Sequence, residues 1–235
     1  MTVAEMHFEF QILLETMWDE FKETERPDSF TVLKYLNLAQ DRYIKDKYLS
    51  NPNMKANVEM VQKKTDDLRN IIKRDTRTVF TAIATGPSNR YLISLPDDYL
   101  FYIRADIKIT RSDLPAVIEE WTPVRVTDYD EVYKITTGIY NKPILPEPVI
   151  VFEESDNIVI YKDDYTTLIG PGTGGGNLEL TYLRQPYTMV IDGAGIGETI
   201  TCELAEHTHE EITRIAVEMF TMEYKFRLQT KKSEA

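Results

Sequence analysis

Apolar side chains recur at three- and four-residue intervals near the start of the chain, a spacing that predicts a helix over residues 3–23. Acidic side chains occupy the other side of this helix, and its apolar face is formed by Phe10, Leu13, Leu14, Met17, Trp18 and Phe21. Packing within the chain's own domain is the simpler interpretation of this face. Contact with a neighbouring subunit is the alternative.

A second helix follows the break at Pro27. Asp28 or Ser29 is expected to cap it, because a short side-chain oxygen accepts hydrogen bonds from the free backbone N–H groups of a first turn. Asn37 and Gln40 lie beside the apolar seam and need hydrogen-bond partners there. The seam itself consists of Val32, Leu36, Ala39 and Tyr43.

A third predicted helix has the most regular spacing, a heptad seam formed by Met54, Val58, Val61, Thr65, Leu68 and Ile72. This spacing predicts antiparallel packing on the second helix across a short turn. Its charged residues, Asp67 among them, predict a solvated outer face. A last helix over residues 207–229 is expected to return to this pair, with Ile212, Ile215, Ala216, Met219 and Phe226 on one face.

From Thr76 onward the hydrophobic period changes to two, which predicts strands separated by turns rich in Gly, Pro, Asn and Asp. The predicted strands cover residues 78–83, 91–95, 101–110, 121–126, 149–152, 157–161, 178–183 and 199–202, with one helical turn at 129–133. This pattern predicts a meander or a small antiparallel barrel, inserted between helical segments.

The predicted fold class is therefore α+β: an antiparallel helical bundle, made of the N-terminal helices and a returning C-terminal helix, with a large antiparallel β-rich insertion. We expect three parts: an N-terminal helical part (1–75), a β-rich insertion (76–203), and a C-terminal helix and tail that return to the helical part (204–235).

Composition narrows the function classes. Among the 235 residues a single cysteine, Cys202, excludes an intrachain disulfide and a multi-cysteine metal site, and fits folding in a reducing cytosol. The start of the chain is not typical of a signal peptide, and no apolar run approaches the ~20 residues that span a bilayer. The net charge of −12 argues against a broad DNA-binding face. It is compatible with an acidic wall past which DNA slides.

Two glycine-rich stretches do not have the spacing of nucleotide-binding loops. Residues 170–176 lack the Lys-Ser/Thr pair of a P-loop. A strand-like run leads into Gly193, Gly195 and Gly197, but a dinucleotide fingerprint needs its third glycine one position later and a helix directly after it. Both stretches are predicted to be turns.

The remaining polar groups do not form a catalytic pattern. On a helix His207 and His209 point about 200° apart, so they cannot share a metal ion. The carboxylate pairs fall at strand ends or turns, where such residues solvate loops: Asp97/Asp98, Glu153/Glu154 and Asp163/Asp164. We predict no catalytic, cofactor-binding or metal site, and a protein that is not an enzyme.

Four stretches together resemble the head-to-tail connector (adaptor or neck-ring) proteins of short-tailed phages, in particular those of crAss-like phages. They are residues 36–43, 91–99 and 182–186, and the run from Cys202 through Leu204 to His209 and Ile212. These are loose patterns spread over about residues 29–227. The long acidic and aromatic first helix departs from the family.

The resemblance implies a virion protein of the neck or tail that is assembled in the host cytoplasm, without a cofactor and without contact to a membrane. It implies a twelve-fold ring of identical copies that binds the portal protein and the next tail or neck component. Genomic DNA would pass through the ring without sequence-specific binding. In such rings the C-terminal segment often docks on the portal and the β-rich regions contact the next tail component.

Candidate partner-binding residues are Phe226, Leu228, Lys231, Lys232, Tyr99, Phe101, Trp121 and Trp18. One alternative is another tail or baseplate structural component. The least favoured alternative is a carbohydrate- or nucleotide-processing enzyme with a site on the β insertion, at Asp97 or Asp98.

Overall fold

The structure, a computed structural model, describes residues 1–17, 26–49, 66–77, 81–82, 90–111, 118–128, 130–131, 148–153, 157–161, 166–168, 178–191 and 199–233. Its α-helices in this part of the chain are α1 (Val3–Met17), α2 (Ser29–Leu49) and α3 (His209–Ser233). The fold is mixed α+β, with two sheets whose strand pairs are mostly antiparallel.

The described strands are ten. They are β1 (Ile72–Arg77), β2 (Thr81–Ala82), β3 (Arg90–Ser94), β4 (Tyr99–Arg111), β5 (Ile118–Pro123), β6 (Arg125–Val126), β7 (Val149–Glu153), β8 (Asn157–Tyr161), β9 (Thr166–Leu168) and β10 (Leu178–Arg184).

The chain divides into two compact units. The helical unit combines Met1–Ile71 with Pro186–Ala235, and the sheet unit is Ile72–Gln185. The three-part domain division expected from the sequence stays a prediction.

In the helical unit, the start of α2 agrees with its sequence pattern. Asp28 caps the helix, since its Oδ1 accepts a hydrogen bond from the backbone N–H of Thr31 at 3.3 Å. The predicted seam is confirmed as core, because all of its side chains are buried: Val32, Leu36, Ala39 and Tyr43. In α1, Phe10 and Leu14 are buried in the same way, whereas Met17 is exposed.

The third predicted helix falls largely on residues 50–65, which lie outside the described part of the chain. Residues 66–68 are helical and a 3-10 turn, Arg69–Ile71, follows them. The predicted end of this helix was wrong, because Ile72 already opens β1 and pairs with Leu183. The hydrogen bonds of this backbone are made across a sheet instead of along a helix.

The first sheet has the strand order β1-β10-β4-β5, with β9 also pairing with β4. The second has the order β2-β3-β8-β7-β6, in which β6 and β7 run parallel. The predicted meander was wrong, since β10 inserts between β1 and β4, far from both in sequence. The alternative of a small barrel stays a prediction. The two sheets share one apolar core formed by Ile93, Ala105, Ile107, Ile109, Val124, Ile150, Ile158, Ile160, Leu178, Leu180 and Tyr182.

Several predicted strands are found within one or two residues of their expected ends, and β8 is found as predicted. The predicted run 121–126 is divided between β5 and β6. The predicted strand 199–202 was wrong: only one isolated antiparallel bridge, Val190 to Ile200, forms there. Of the predicted strand 78–83 and turn 129–133, the described residues show strand at 81–82 and helix at 130–131.

The chain enters and leaves the sheet unit on neighbouring strands. β1 is the first strand of the unit and β10 the last, and they pair antiparallel from Ile72 with Leu183 to Arg77 with Leu178. The unit is thus an insertion whose two ends lie side by side.

Candidate interaction surfaces

The C-terminal helix α3 buries one face against α1 and α2. The buried side chains at its centre are Ile212, Thr213, Ala216, Val217 and Phe220. The ring of Phe220 meets the rings of Phe10 and Tyr35 edge to face, with centroid distances of 5.9 and 5.2 Å. Such pairs add to the apolar burial that holds α1 and α2 on this face.

Thr213 is a polar residue in this buried face, and its Oγ1 is satisfied by donating to the carbonyl of His209 at 2.9 Å. At the end of the same face, Tyr35 donates a hydrogen bond to the carboxylate of Glu223.

A second apolar stripe runs along α3 beside its buried face. We call it the α3 outer stripe, and it consists of Ile215, Met219, Met222 and Phe226. These residues are spaced by four, three and four positions, so they form one continuous row. Ile215 and Met219 are half-buried, whereas Met222 is 65% and Phe226 69% exposed. The apolar spacing predicted Ile212 and Ala216 on the same face as this row, but both are buried in the core, which lies beside the row.

The N-terminal helix α1 also carries exposed apolar side chains opposite its buried face. Phe8 is 64% and Ile12 45% exposed, and they stand one turn apart. We call this pair the α1 outer side. Glu5 and Glu15 are exposed on the same side of the helix.

A charged cluster joins α2, the helical residue Asp67 and the start of α3. Asp67 is buried, with Oδ1 2.7 Å from His207 Nε2 and Oδ2 accepting from Tyr43 Oη at 3.2 Å. Lys47 Nζ lies 3.7 Å from the Asp67 carboxylate, 3.3 Å from that of Glu211, and over the Tyr43 ring. Burial and the nearby carboxylates raise the pKa of Tyr43, so it remains a donor. The expectation of a solvated Asp67 was wrong.

His207 and His209 serve different parts of this helix start. His209 is buried, with Nδ1 3.1 Å from the carbonyl oxygen of Met1 and Nε2 3.1 Å from that of Leu204. Each histidine therefore links the region around the start of α3 to another segment of the chain. His207 contacts Asp67, and His209 contacts the backbone of Met1. Within the described residues no group of three His, Cys, Asp or Glu side chains is arranged to hold a metal ion.

In the sheet unit, a polar network joins the start of β4 to β1 and β10. Asp98 accepts hydrogen bonds from Lys73 Nζ at 2.8 Å and from Tyr182 Oη at 2.7 Å. Burial raises the pKa of Asp98, but these two bonds and the charge of Lys73 outweigh it, so the net pKa is lowered. Burial and the bond to Asp98 raise the pKa of Tyr182 to about 12. The lowered pKa keeps Asp98 ionised and the raised pKa keeps Tyr182 neutral, and these are the forms in which the hydrogen bonds of the network can be made.

The strand residues that face away from the shared core of the first sheet carry cross-strand and same-strand ion pairs. The pairs are Arg74 with Glu179, Arg104 with Asp106 at 2.8 Å, and Lys108 with Glu119 at 2.7 Å. Trp121 pairs with Lys108 across β4 and β5 and is 48% exposed. A large exposed aromatic ring among paired charges is a composition found in protein interfaces.

The predicted partner-binding residues divide between the two units. Phe226 is exposed on α3, and Trp121 is exposed on β5. Tyr99 and Phe101 are half-buried on β4, and the Tyr99 ring packs against those of Phe152 and Tyr182. Leu228, Lys231 and Lys232 lie within α3, but their side chains, like all of Trp18, are outside the described part.

Three other features were considered in the sequence: the glycine-rich stretches, the thiol of Cys202 and membrane-spanning helices. The glycine-rich stretches 170–176 and 193–197 lie outside the described residues. Burial raises the pKa of the Cys202 thiol, which disfavours the reactive thiolate. In the described residues no helix combines the length and apolar character that crossing a membrane requires.

Comparison with known proteins gives one result that bears on function. A family model described as CrAss_Ring_3_4, phage tail ring protein 3/4, matches residues 1–232. No curated protein matches the chain.

Proposed function

The chain belongs to the phage tail ring protein 3/4 family, and from this premise we propose that its copies form the head-to-tail connector ring of the virion. A phage tail ring protein is a structural component of the virion. In the proposal the ring has twelve subunits, binds the portal protein and extends the DNA channel toward the tail. The observation that carries it is the family match over residues 1–232, nearly the whole chain.

The charge balance supports a channel role. The net charge of −12 repels the phosphate backbone of DNA, and a wall that repels DNA lets it pass without sticking. No sequence-specific contact to DNA is needed for this role.

The proposed portal contact is the last part of α3, with Leu228, Lys231 and Lys232. The proposed contact to the next tail component is the sheet unit around Tyr99, Phe101 and Trp121, where the exposure of Trp121 supports it. We further propose that α1, α2 and α3 form an antiparallel bundle. The packing of α1 and α2 on one face of α3 supports this arrangement.

The decisive measurement is the native mass of the portal protein of the same phage, before and after it is mixed with this chain. We expect the portal assembly to gain the mass of twelve subunits. The matched variant Lys231→Glu/Lys232→Glu should lose this gain, whereas Lys34→Glu, on α2, should keep it. A portal that gains no mass would contradict the connector role.

A second candidate role is a ring of the tail that does not touch the portal, since the family description refers to the tail. Proteins in separated heads and tails of disrupted virions distinguish the two roles. Recovery of the chain with tails, together with no binding to purified portal, would favour the second role.

A further inference from the structure

We propose that His209 is a proton-dependent clamp between the starts of α1 and α3. In its doubly protonated form the ring holds Met1, directly ahead of α1, against the start of α3, and in its neutral form it releases Met1. The clamp is a conformational device of the helical unit. It rests on the geometry of one buried side chain, and neither on the connector role nor on ring assembly.

Both ring nitrogens of His209 face hydrogen-bond acceptors. Nδ1 lies 3.1 Å from the carbonyl oxygen of Met1, and Nε2 lies 3.1 Å from that of Leu204. A neutral imidazole has one N–H donor and one lone pair, whereas the imidazolium has two N–H donors. Because a carbonyl oxygen only accepts, the neutral ring makes one of the two hydrogen bonds and the protonated ring makes both.

Burial gives the second hydrogen bond its importance. His209 is 4% exposed, so a nitrogen that loses its partner is left unpaired in the interior, which is costly. Leu204 is five positions from His209, and this short segment keeps its carbonyl near the ring in either form. Met1 is 208 positions away along the chain. The contact with Met1 is therefore the one that the neutral ring gives up.

The contact with Met1 fixes the first turn of α1. Thr2 follows Met1 and forms a capping box with Glu5. The Glu5 carboxylate accepts from the N–H of Thr2 at 2.7 Å, and the Thr2 hydroxyl accepts from the N–H of Glu5 at 3.3 Å. Directly after this cap Val3 and Met6 are fully buried. Release of Met1 thus loosens a turn whose apolar side chains lie in the core.

Two charges act on the ring in opposite directions. The Glu206 carboxylate lies 2.7 Å from the amino group of Met1. The pKa of Glu206 is lowered first by this hydrogen bond, then by the charge of the amino group, and to a smaller extent by the charge of His209. A negative charge therefore lies near the ring. The positive end of the α3 dipole acts against a second proton, so the ring is able to lose it as the pH rises.

The other titratable groups on the elements around His209 are engaged in contacts of their own or are buried. Burial lowers the pKa of His7 on α1 and raises that of the Cys202 thiol, so both side chains favour their neutral forms. The remaining contacts are Glu203 with the N–H of Tyr187, His207 with Asp67, Lys47 with Glu211, and Glu210 with Arg214.

The test follows two NMR signals of the full-length chain from about pH 5 to pH 9, the range in which histidines titrate. The ¹⁵N shifts of the His209 ring show which nitrogens carry a proton, and the variant His209→Gln identifies these signals. Hydrogen exchange of the Met6 amide reports on the first turn of α1, because this N–H donates to the carbonyl of Thr2 at 3.0 Å. The matched reference is the Val32 amide, which donates to the carbonyl of Asp28 at 3.0 Å in the first turn of α2.

We expect the protection factor of Met6 to fall relative to that of Val32 as His209 loses its second proton. The fall is up to about tenfold per pH unit, the limit when opening releases one proton. In His209→Gln the ratio should stay constant with pH, since an amide does not titrate. The control is His7→Gln, at a half-buried position of α1, and it should keep the response of the unaltered chain.

Three outcomes overturn the clamp. A constant ratio while the ring loses a proton would show that Met1 does not depend on the charge of His209. A ring that keeps both protons over the whole range would show a permanent contact instead of a switch. Loss of the response in His7→Gln would assign it to the wrong histidine. If His209→Gln is unfolded, the unaltered chain still decides through its own ratio, and no outcome bears on binding to the portal.

Discussion

At the scale of single residues, Asp98 has the most explicit electrostatic role in the sheet unit. Its carboxylate links Lys73 on β1 to Tyr182 on β10, the two strands on which the chain enters and leaves the unit. The pKa of Asp98 is lower in the folded chain than its ordinary value of 3.8. Its ionised form thus contributes stability above about pH 4, and this contribution is lost as the pH falls through the folded pKa.

Asp98→Asn removes this charge while keeping the side-chain shape. We expect the free energy of unfolding to fall by about 1 kcal/mol at pH 7, the usual size for a partly exposed hydrogen-bonded ion pair. The difference from the unaltered chain should shrink below the folded pKa, where both side chains are neutral. Urea unfolding at pH 7 and at strongly acidic pH measures it. Asp97→Asn, at the exposed neighbouring position, is the control, and an equal loss there would contradict the role of Asp98.

Tyr182 makes a second contribution to the stability of the sheet unit, and this one is lost at alkaline pH. Its pKa is raised from 10.0 to about 12, so its neutral form contributes stability that is present below pH 10 and is lost as the pH rises toward 12. The tyrosinate absorbance of the unaltered chain minus that of Tyr182→Phe should show one group that ionises near pH 12. A difference curve with its midpoint near pH 10 would contradict the network.

Sequence patterns predicted some of these residue environments and missed others. Asn37 was expected to need partners, and its amide exchanges hydrogen bonds with the backbone of Met189 at 2.7 and 3.2 Å. Asp67 looked like one charge in a solvated mixture, because its contact His207 lies 140 positions away. Local periodicity carries no information about a contact over such a distance.

At the scale of elements, α3 shows why a correct helix can have a wrongly assigned face. The apolar spacing of Ile212, Met219 and Phe226 points to one side of the helix. The buried face of α3 is rotated away from this row, because Thr213 turns inward with its hydroxyl bonded to the backbone. A pattern that counts only apolar residues cannot predict that a threonine is buried. The same spacing then leaves the α3 outer stripe exposed.

The two faces of α3 are distinguished by two phenylalanines six residues apart. Phe220→Ala should lower the free energy of unfolding by about 3 kcal/mol, because it leaves a cavity between α1, α2 and α3. Phe226→Ala should change it by less than about 0.5 kcal/mol, since that ring is largely exposed. Urea unfolding at low protein concentration avoids any effect of self-association. Equal losses in the two variants would contradict the assignment of the faces.

At the scale of the whole molecule, the sequence predicted a β-rich insertion between helical segments but not how its strands connect. Alternation shows that β10 is a strand and which side chains share a face. It does not show that β10 lies between β1 and β4, since pairing of strands distant in sequence is decided by the packing of Leu178, Leu180 and Tyr182 in the shared core.

The adjacent ends of the insertion allow it to be removed. Paired residues such as Ile72 and Leu183 have Cα atoms about 5 Å apart, so a short Gly/Ser linker can replace residues 72–185. We expect the remaining helical unit to stay helical by circular dichroism and to unfold cooperatively on heating. Deletion of residues 30–143, of equal length, removes α2 and should abolish folding. A linker variant that is unfolded would show that the helical unit depends on the insertion.

The division of the helical unit into two separated segments also imposes an order on synthesis. A ribosome makes α1 and α2 first, then the entire sheet unit, and only afterwards α3, about 160 residues after α2 ends. At ~5–20 residues per second, the nascent N-terminal helices wait roughly 10 to 30 s for the helix that covers their apolar faces. The sheet unit can fold during this delay, so the part encoded in the middle is finished before the part encoded at both ends.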